Sequence, residues 1–436
     1  MTSSDVDHDL ERAREELEAT MGPGWSDPSD KARSVGLTRR EFMEETGLKS
    51  LGAAGVAGTA GLAGLAGCLD DEDGDDGESD DDALDVGYIP ITDASPLLAA
   101  YANGHWDDHD VDVNEPTMFR GWDDLAESFF GGDLDIAHFL MPMTVWMKFD
   151  LQEDVKVVAW DHTDGSAMTV HEGVDDWEDL GGGRVAVPFW YSIHNIVLQM
   201  ALDEVGLTPR IDTTDVADDE VSLVVMPPPD MPAALSERNI DGYIVAEPFN
   251  AAGELDAGGR ILRFTGDIWR RHACCVVTMR ESAVESQPGW TEDVLSGVVD
   301  AQRWIRRNRT EAAGLLAEEG SGLLPQPREV VERALTHYDE DEYHDSGAIT
   351  HPDWDLERID FYPYPYPSYT EELVRRMRAT KVEGDAEFLG DLEPEGAADD
   401  LVAYEPVRNA LEAAGGPNEF EVEEEDGYER TETIEF

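Results

Sequence analysis

Two cysteines stand side by side in Trp269-Arg270-Arg271-His272-Ala273-Cys274-Cys275. Thiols invite three chemistries: a disulfide, a nucleophile paired with histidine, or a soft-metal site. Adjacent Cα atoms lie about 3.8 Å apart, below the ~4.4–6.8 Å usual for a disulfide, so two free thiols are expected. A nucleophile needs a base and a third group to orient it. The chain has no G-x-S-x-G and no Cys/His pair flanked by a fitting third residue. The segment also lacks the paired spacing of a zinc site. The first reading of Cys274 and Cys275 is therefore two small apolar fillers on a strand. Joined by His138, His194 or His272 they would instead make a soft-metal site; no metal and no cofactor are expected.

The third cysteine, Cys68, closes an ordered set of signals. Thr38-Arg39-Arg40-Glu41-Phe42-Met43 carries a twin-arginine pair with an apolar residue shortly after. Leu51 to Gly67 is uncharged and mostly Gly and Ala, too weakly apolar for the roughly 20-residue span of a bilayer. Leu65-Ala66-Gly67-Cys68 then reads as a lipobox, whose thiol takes the lipid. The run that follows, to Asp82, is too acidic to pack and reads as a tether. Arg39 and Arg40 are thus read as an export address and Cys68 as an anchor, which places the mature chain on the outer face of the cell membrane.

Acid dominates the whole chain. There are 98 Asp and Glu against 31 Lys and Arg, a net charge of −67, and only five of the basic residues are lysine. Such self-repulsion destabilises a compact state unless salt screens it, and at molar salt the screening length falls to about 3 Å. The surface reads as one made for brine. No basic patch survives the count, which excludes nucleic acid as a partner. A core is still available, with 41% hydrophobic residues and 11 tryptophans.

The elements that must position these residues alternate in type. Leu84–Ile91, Val111–Val113 and Leu134–Leu140 read as strands, with helices at Ser95–Asn103 and Trp122–Phe130 between them. The pattern restarts with a strand at Arg184–Val187, a helix at Ile193–Val205, and strands at Val221–Val225 and Ile240–Val245. This is the signature of parallel α/β units. Pro288 to Ala379 reads as mostly helical, Ser368 to Glu371 as a capping box, and the chain beyond Glu419 as a disordered acidic tail.

Several stretches carry a family likeness, among them "GYIPITDASPLLAAYANGHW", "GWDDLAESFFGGDLDIAHFLMPM", "VAVPFWYSIHNIVLQMALDEVGLTP" and "VVMPPPDMPAALSERNIDGYIVAEPFNA". From about Leu84 to Leu411 the chain resembles the solute-binding proteins of ABC importers for nitrate, bicarbonate, sulfonates and taurine. It lies nearest the nitrate- and bicarbonate-binding branch, as a lipoprotein of haloarchaeal type. The resemblance implies a two-lobed α/β periplasmic-binding-protein fold of type II, its lobes joined by two crossover strands. It implies this division: an extension and signal over 1–67, a tether over 68–83, lobe 1 over 84–168, lobe 2 over 169–274, a return to lobe 1 over 275–418, and a tail over 419–436.

The resemblance also implies a ligand set. Trp122 matches a pocket tryptophan, and His138, with Met141 just beyond it, matches a strand-end histidine. Ser166 stands where the family has glutamine, and His194 matches a histidine at a helix start. Ala246, Glu247 and Phe249 match a Gly-Glu-Pro-Trp turn. Trp269 opens the segment in which Cys275 replaces the family's lysine. With that cation and the glutamine amide absent, weak nitrate or bicarbonate binding and tighter binding of an organic solute are expected.

The implied function is delivery of a small molecule to an ABC permease and ATPase, by a monomeric, lipid-anchored, non-enzymatic protein. An extracellular sensor and a pyrimidine-synthase-like enzyme of the same fold are the alternatives. Arg39→Lys with Arg40→Lys should leave the chain inside the cell, and Cys68→Ser should release it from the membrane fraction. Membrane attachment that survives Cys68→Ser would contradict the lipid anchor.

Overall fold

The structure is a computed structural model that describes residues 83–436 apart from 212, 337–338, 352–356 and 424–425. Arg39, Arg40, Cys68 and nearly all of the tether lie outside the described residues. No helix among the described residues is long and apolar enough to cross a membrane.

The described residues build two large sheets and one two-stranded pair. The first takes β1 (Val86–Tyr88), β2 (Thr117–Met118), β3 (Ile136–Leu140) and β4 (Lys156–Trp160), with β12 (Cys275–Met279) returning from much later, in the order β2-β1-β3-β12-β4. β1 runs parallel to both β2 and β3, whereas β12 is antiparallel to both β3 and β4. The second sheet takes β6 (Ser166–His171), β7 (Arg184–Val187), β8 (Thr208–Arg210), β9 (Glu220–Val225), β10 (Gly242–Ala246) and β11 (Gly259–Phe264), in the order β11-β6-β10-β7-β9-β8.

Helices cover the sheets at the places where apolar residues recur at helical spacing. α1 (Ser95–Ala102) follows β1, α2 (Trp122–Gly131) follows β2, and α3 (Met141–Phe149) follows β3. Gly132 ends α2 in the left-handed region, at φ 87°, which glycine enters without a Cβ penalty. In the second unit α4 (Ile193–Glu204) follows β7 and α5 (Phe249–Asp256) follows β10. The long helix α6 (Pro288–Arg307) brings the chain back against α1, where Trp106 Nε1 donates to the Val294 carbonyl at 2.9 Å.

Two short segments connect the sheets. Residues 161–165 leave β4 for β6, and residues 265–274 return from β11 to β12. They run side by side: Asp164 N donates to His272 O at 2.9 Å and Asp161 N to Cys275 O at 3.3 Å. β5 (Thr163–Asp164), within the first connection, pairs with β13 (Ile359–Asp360).

Three expectations are corrected. The second strand lies at Thr117–Met118, while Val113 makes only an isolated bridge to Leu84. Val111-Asp112-Val113 shows the alternation of a strand because Val111 is buried, but it is too short to hold a ladder. Ser368 does not cap: α7 (Pro367–Met377) starts at Pro367 without a side-chain cap, since the fixed φ of proline already suits a first helical turn. The Ser368 hydroxyl instead donates to Glu432.

The tail is ordered rather than loose, and Glu432 belongs to it. Trp269 Nε1 donates to Glu432 Oε2 at 2.8 Å, Arg270 N to Thr433 O at 3.0 Å, and Glu435 N to Ile268 O at 2.9 Å. Arg430 lies 4.5 Å from the Tyr366 ring and 4.9 Å from that of Trp160. The acidic tail therefore straps the returning connection. Removing residues 430–436 leaves the buried indole N–H of Trp269 without its acceptor, a loss of about 1–3 kcal/mol. A truncation at Glu429 should lower the denaturation midpoint in molar salt by a matching amount. An unchanged midpoint would show that the strap adds nothing.

Candidate functional site at the junction of the two sheets

The carboxyl ends of β1, β3, β4 and β10 point to the same junction, where ligands of α/β proteins usually sit. Each strand end delivers polar side chains there, and all of those named below are buried.

After β1, residues 89–94 wrap into α1 and place Thr92 and Asp93 at its start. Ile89 N donates to His138 Nε2 at 2.8 Å, which fixes the ring of His138 in the middle of β3. That ring lies 5.5 Å from the ring of Trp122, the first residue of α2. On the other side, His138 Nδ1 lies 3.7 Å from Asp161 Oδ2, just past β4. His162 follows, its Nε2 2.8 Å from Asp93 Oδ2. The Cys275 N–H points at the same Nε2 from 3.1 Å.

The second unit contributes from its own turns. Ser192 caps α4 by accepting from Asn195 N at 3.1 Å, which fixes His194 in the first helical turn. His194 Nε2 lies 2.9 Å from Ser166 Oγ and 3.7 Å from Cys274 Sγ. Ala246 pairs with Ser166 in the ladder, and the next residue's carbonyl, of Glu247, accepts from Thr92 N at 2.8 Å. That hydrogen bond ties the loop after β1 to the loop after β10.

Cys274 and Cys275 are free thiols, as expected, with sulfurs 3.9 Å apart. In a regular strand neighbouring side chains point to opposite faces. Cys274 instead lies in a bend just before β12, which turns its sulfur toward that of Cys275. The Cys274 carbonyl accepts from Met141 N at 2.9 Å, which sets Met141 beside the thiols.

The site thus gathers Trp122, His138, Met141, Ser166, His194, Ala246 and Cys275. Three other candidates are engaged elsewhere. Glu247 accepts from Arg358 Nε at 2.7 Å with one oxygen and from Ala251 N at 3.0 Å with the other, so its carboxylate holds the turn. Trp269 stands with its ring 5.1 Å from that of Tyr369 and its N–H on Glu432. Phe249 is buried at the start of α5, its carbonyl accepting from the Tyr243 hydroxyl. Asp93, Asp161 and His162 join the cluster without having been singled out, and Cys274, weighed with Cys275 as a filler or a soft-metal ligand, joins it too. The signal for three of them is a titratable residue directly after an apolar run, in "GYIPITDAS" and "VKVVAWDH".

Burial shapes the electrostatics. It pushes Asp93 up to about 7 against the pull of His162, and Asp161 well above the carboxylate range. It also pushes His138 and His272 down to about 3, so both rings are neutral. Burial opposes ionisation of both thiols, but hydrogen bonds from Cys275, His162 and His194 leave Cys274 the more acidic of the two. Several buried polar atoms here have no hydrogen-bond partner: Trp122 Nε1, His138 Nδ1, His194 Nδ1, Thr92 Oγ1 and both oxygens of Asp161. Buried polar atoms are normally paired, so such a concentration marks a place built to meet something else.

Residues 77–318, more than half of the chain, match the model of the NMT1-like family. The chain belongs to the NMT1-like family. Over 311 residues it is 24% identical to the nitrate/nitrite binding protein NrtA of Nostoc sp., covering 65% of this chain and 67% of that one. Over 246 residues it is 27% identical to the nitrate import ATP-binding protein NrtC of Synechocystis sp., covering 54% of this chain but only 37% of that longer one. Its fold matches the crystal structure of the periplasmic nitrate-binding protein NrtA from Synechocystis, with a TM-score of 0.64 at 18% identity over 78% of this chain and 91% of that one. The NMT1-like chain therefore has the type II periplasmic-binding-protein fold expected from its sequence, and the NrtA relatives are named as binding proteins.

Arg358 anchors the far side of the site in this family member. Besides Glu247 it reaches Glu254 Oε2 at 2.9 Å and the Tyr343 hydroxyl at 2.8 Å, while being almost wholly buried. Removing one partner of a buried pair costs about 3–5 kcal/mol, because the other charge stays unpaired. Arg358→Met should lose stability on that scale in chemical denaturation. Adding Glu247→Gln should restore part of it, and an unaffected midpoint in the single variant would refute the pairing.

Proposed function

We propose that this protein captures a small solute between its two lobes and hands it to the permease and ATPase of an ABC importer. Lobe 1 would run over residues 84–168 and 275–418 and lobe 2 over 169–274. The proposal includes export by the twin-arginine signal and anchoring of a monomer to the outer membrane face through Cys68 and the 68–83 tether. The observation that carries it is the junction: unpaired buried polar atoms from both sheets converge where two adjacent connections join the lobes. Lobes joined this way can part and close about their connections, so a solute is enclosed by protein on all sides. The named relatives support the reading, being binding proteins for nitrate and nitrite and a nitrate import ATP-binding protein.

The donors available to that solute are Trp122 Nε1, Ser166 Oγ and the rings of His138 and His194. His138, neutral through burial, gives one N–H rather than a full charge. A charge-assisted hydrogen bond is worth about 1.5–3 kcal/mol, so a pocket with Cys275 in place of a lysine should hold nitrate or bicarbonate about 10- to 150-fold more weakly than one that keeps the cation. An organic solute can compensate with apolar area on Trp122. Thermal shifts in molar salt, with nitrate, bicarbonate, taurine, alkanesulfonates and pyrimidines, test this. An organic member present at 100 times its Kd should stabilise by about 2.7 kcal/mol, and Trp122→Ala should abolish that gain. Micromolar binding of nitrate or bicarbonate would overturn the preference. Organic binding indifferent to Trp122→Ala would overturn the placement of the solute.

A further inference from the structure

We propose that Asp93, His162, Cys274 and Cys275 together bind one divalent d-block cation of the Zn2+ type. The carboxylate, the imidazole nitrogen and the two sulfurs all lie within 4.8 Å of one another, and all four residues are buried. A tetrahedral site with metal–sulfur bonds near 2.3 Å needs its two sulfurs about 3.8 Å apart. The sulfurs of Cys274 and Cys275 are 3.9 Å apart, and the bend at Cys274 is what brings them onto one side.

The contact between His162 and Asp93 points the same way. His162 Nε2 faces Asp93 Oδ2 at 2.8 Å and the Cys275 N–H at 3.1 Å. A protonated nitrogen suits the carboxylate and a bare one suits the amide, so the ring cannot satisfy both. A cation would take the Nε2 lone pair that now faces the Cys275 N–H and would give the carboxylate an opposite charge, so that Nε2 and Asp93 both act as electron-pair donors to it. Asp93 Oδ1 and Oδ2 and His162 Nδ1 otherwise have no hydrogen-bond partner in the buried interior. Two sulfurs, one imidazole and one carboxylate suit a borderline-soft ion better than Ca2+ or Mg2+, which prefer all-oxygen shells.

The four ligands come from three rigid places: the loop after β1, the residues just past β4, and the start of β12. The second unit only covers them, through His194 beside Cys274 and Glu247 O on Thr92 N. An ion must enter while that cover is lifted. On binding, the two thiols give up their protons to solvent and the sulfurs become thiolate ligands, so affinity rises with pH. This departs from the sequence expectation of no metal, and it does not depend on which solute the cleft takes.

The test is a Co2+ titration of the reduced, metal-free full chain in molar salt. The wild type should bind one equivalent with the intense thiolate-to-cobalt charge-transfer absorption of a tetrahedral sulfur site, and Zn2+ should bleach it. Surface carboxylates, abundant on this chain, give no such band, so the readout separates the site from adventitious binding. Cys275→Ser should remove most of the band, and Asp93→Asn, which removes a direct ligand, should weaken Zn2+ by more than the roughly 10- to 100-fold that loss of an outer partner costs. No charge-transfer band in the wild type overturns the proposal without recourse to any variant. So does an undiminished band in the Cys274→Ser, Cys275→Ser double variant. Solute titrations on the metal-free protein report separately on the transport reading, which survives either outcome.

Discussion

Everything at the junction depends on one pairing of backbone with backbone. The outgoing connection hydrogen-bonds to the returning one through Asp164 N to His272 O and Asp161 N to Cys275 O. Asp164 Oδ1 adds an acceptor for Arg271 N at 3.0 Å. Asp164, Gly165 and Arg271 all adopt positive φ, at 60°, 75° and 53°, so each connection turns sharply where they meet. The turn at Gly165 leaves no room for a side chain, because a Cβ there would lie 2.8 Å from the Ile359 side chain. These turns bring residues separated by more than a hundred positions to bonding distance, and they place His162 and the thiols on the same face of the hinge.

The tail fits the same constraint. A hinge made of two short connections has few contacts of its own, and its buried tryptophan needs an acceptor. Residues 430–436 provide both. They lay one more extended segment over Ile268–Arg271, and they bring Glu432 to the indole N–H and Arg430 to a set of aromatic rings. Cations over aromatic faces contribute about 0.5–1 kcal/mol at exposed sites and more when desolvated. The C-terminal residues thus bear on how the lobes are held, although they lie outside both sheets.

Much of this was legible in the sequence, for a local reason. The strand at Arg184–Val187 and the helix from Ile193 show their periodicity within a dozen residues, and Ser192 announces its cap three residues ahead of Asn195. His194 sits in the first turn of α4, where a side chain meets the cleft, whereas His138 lies in the middle of β3. The tail was misread because composition records only its charge. A carboxylate such as Glu432 is as suited to accept a buried N–H as to face water, and no local pattern tells the two uses apart. The four-residue cluster was illegible for a similar reason. Asp93, His162 and Cys274 meet only because the chain leaves the first sheet, builds a second and returns antiparallel as β12. No spacing in the sequence encodes that path.

The net charge of −67 sits uneasily with a site rich in carboxylates, and distance and dielectric resolve the conflict. In molar salt a surface charge is felt over about 3 Å, so the outer acids hardly reach the buried cluster. Inside, the same chemical group behaves differently. Asp93 and Asp161 lose their water, and burial shifts both toward the protonated form. A desolvated carboxylate must take a proton or a cation, because the bare charge is too costly to bury. Any parting of the lobes readmits water and favours ionisation, and closing reverses it. On the proposed transport reading, closure over this junction is coupled to the uptake of positive charge. That charge can be a proton between Asp93 and His162, a cation on the two sulfurs, or a group carried by the solute. The local donors, not the acidic surface, decide which of the three the closed form accepts.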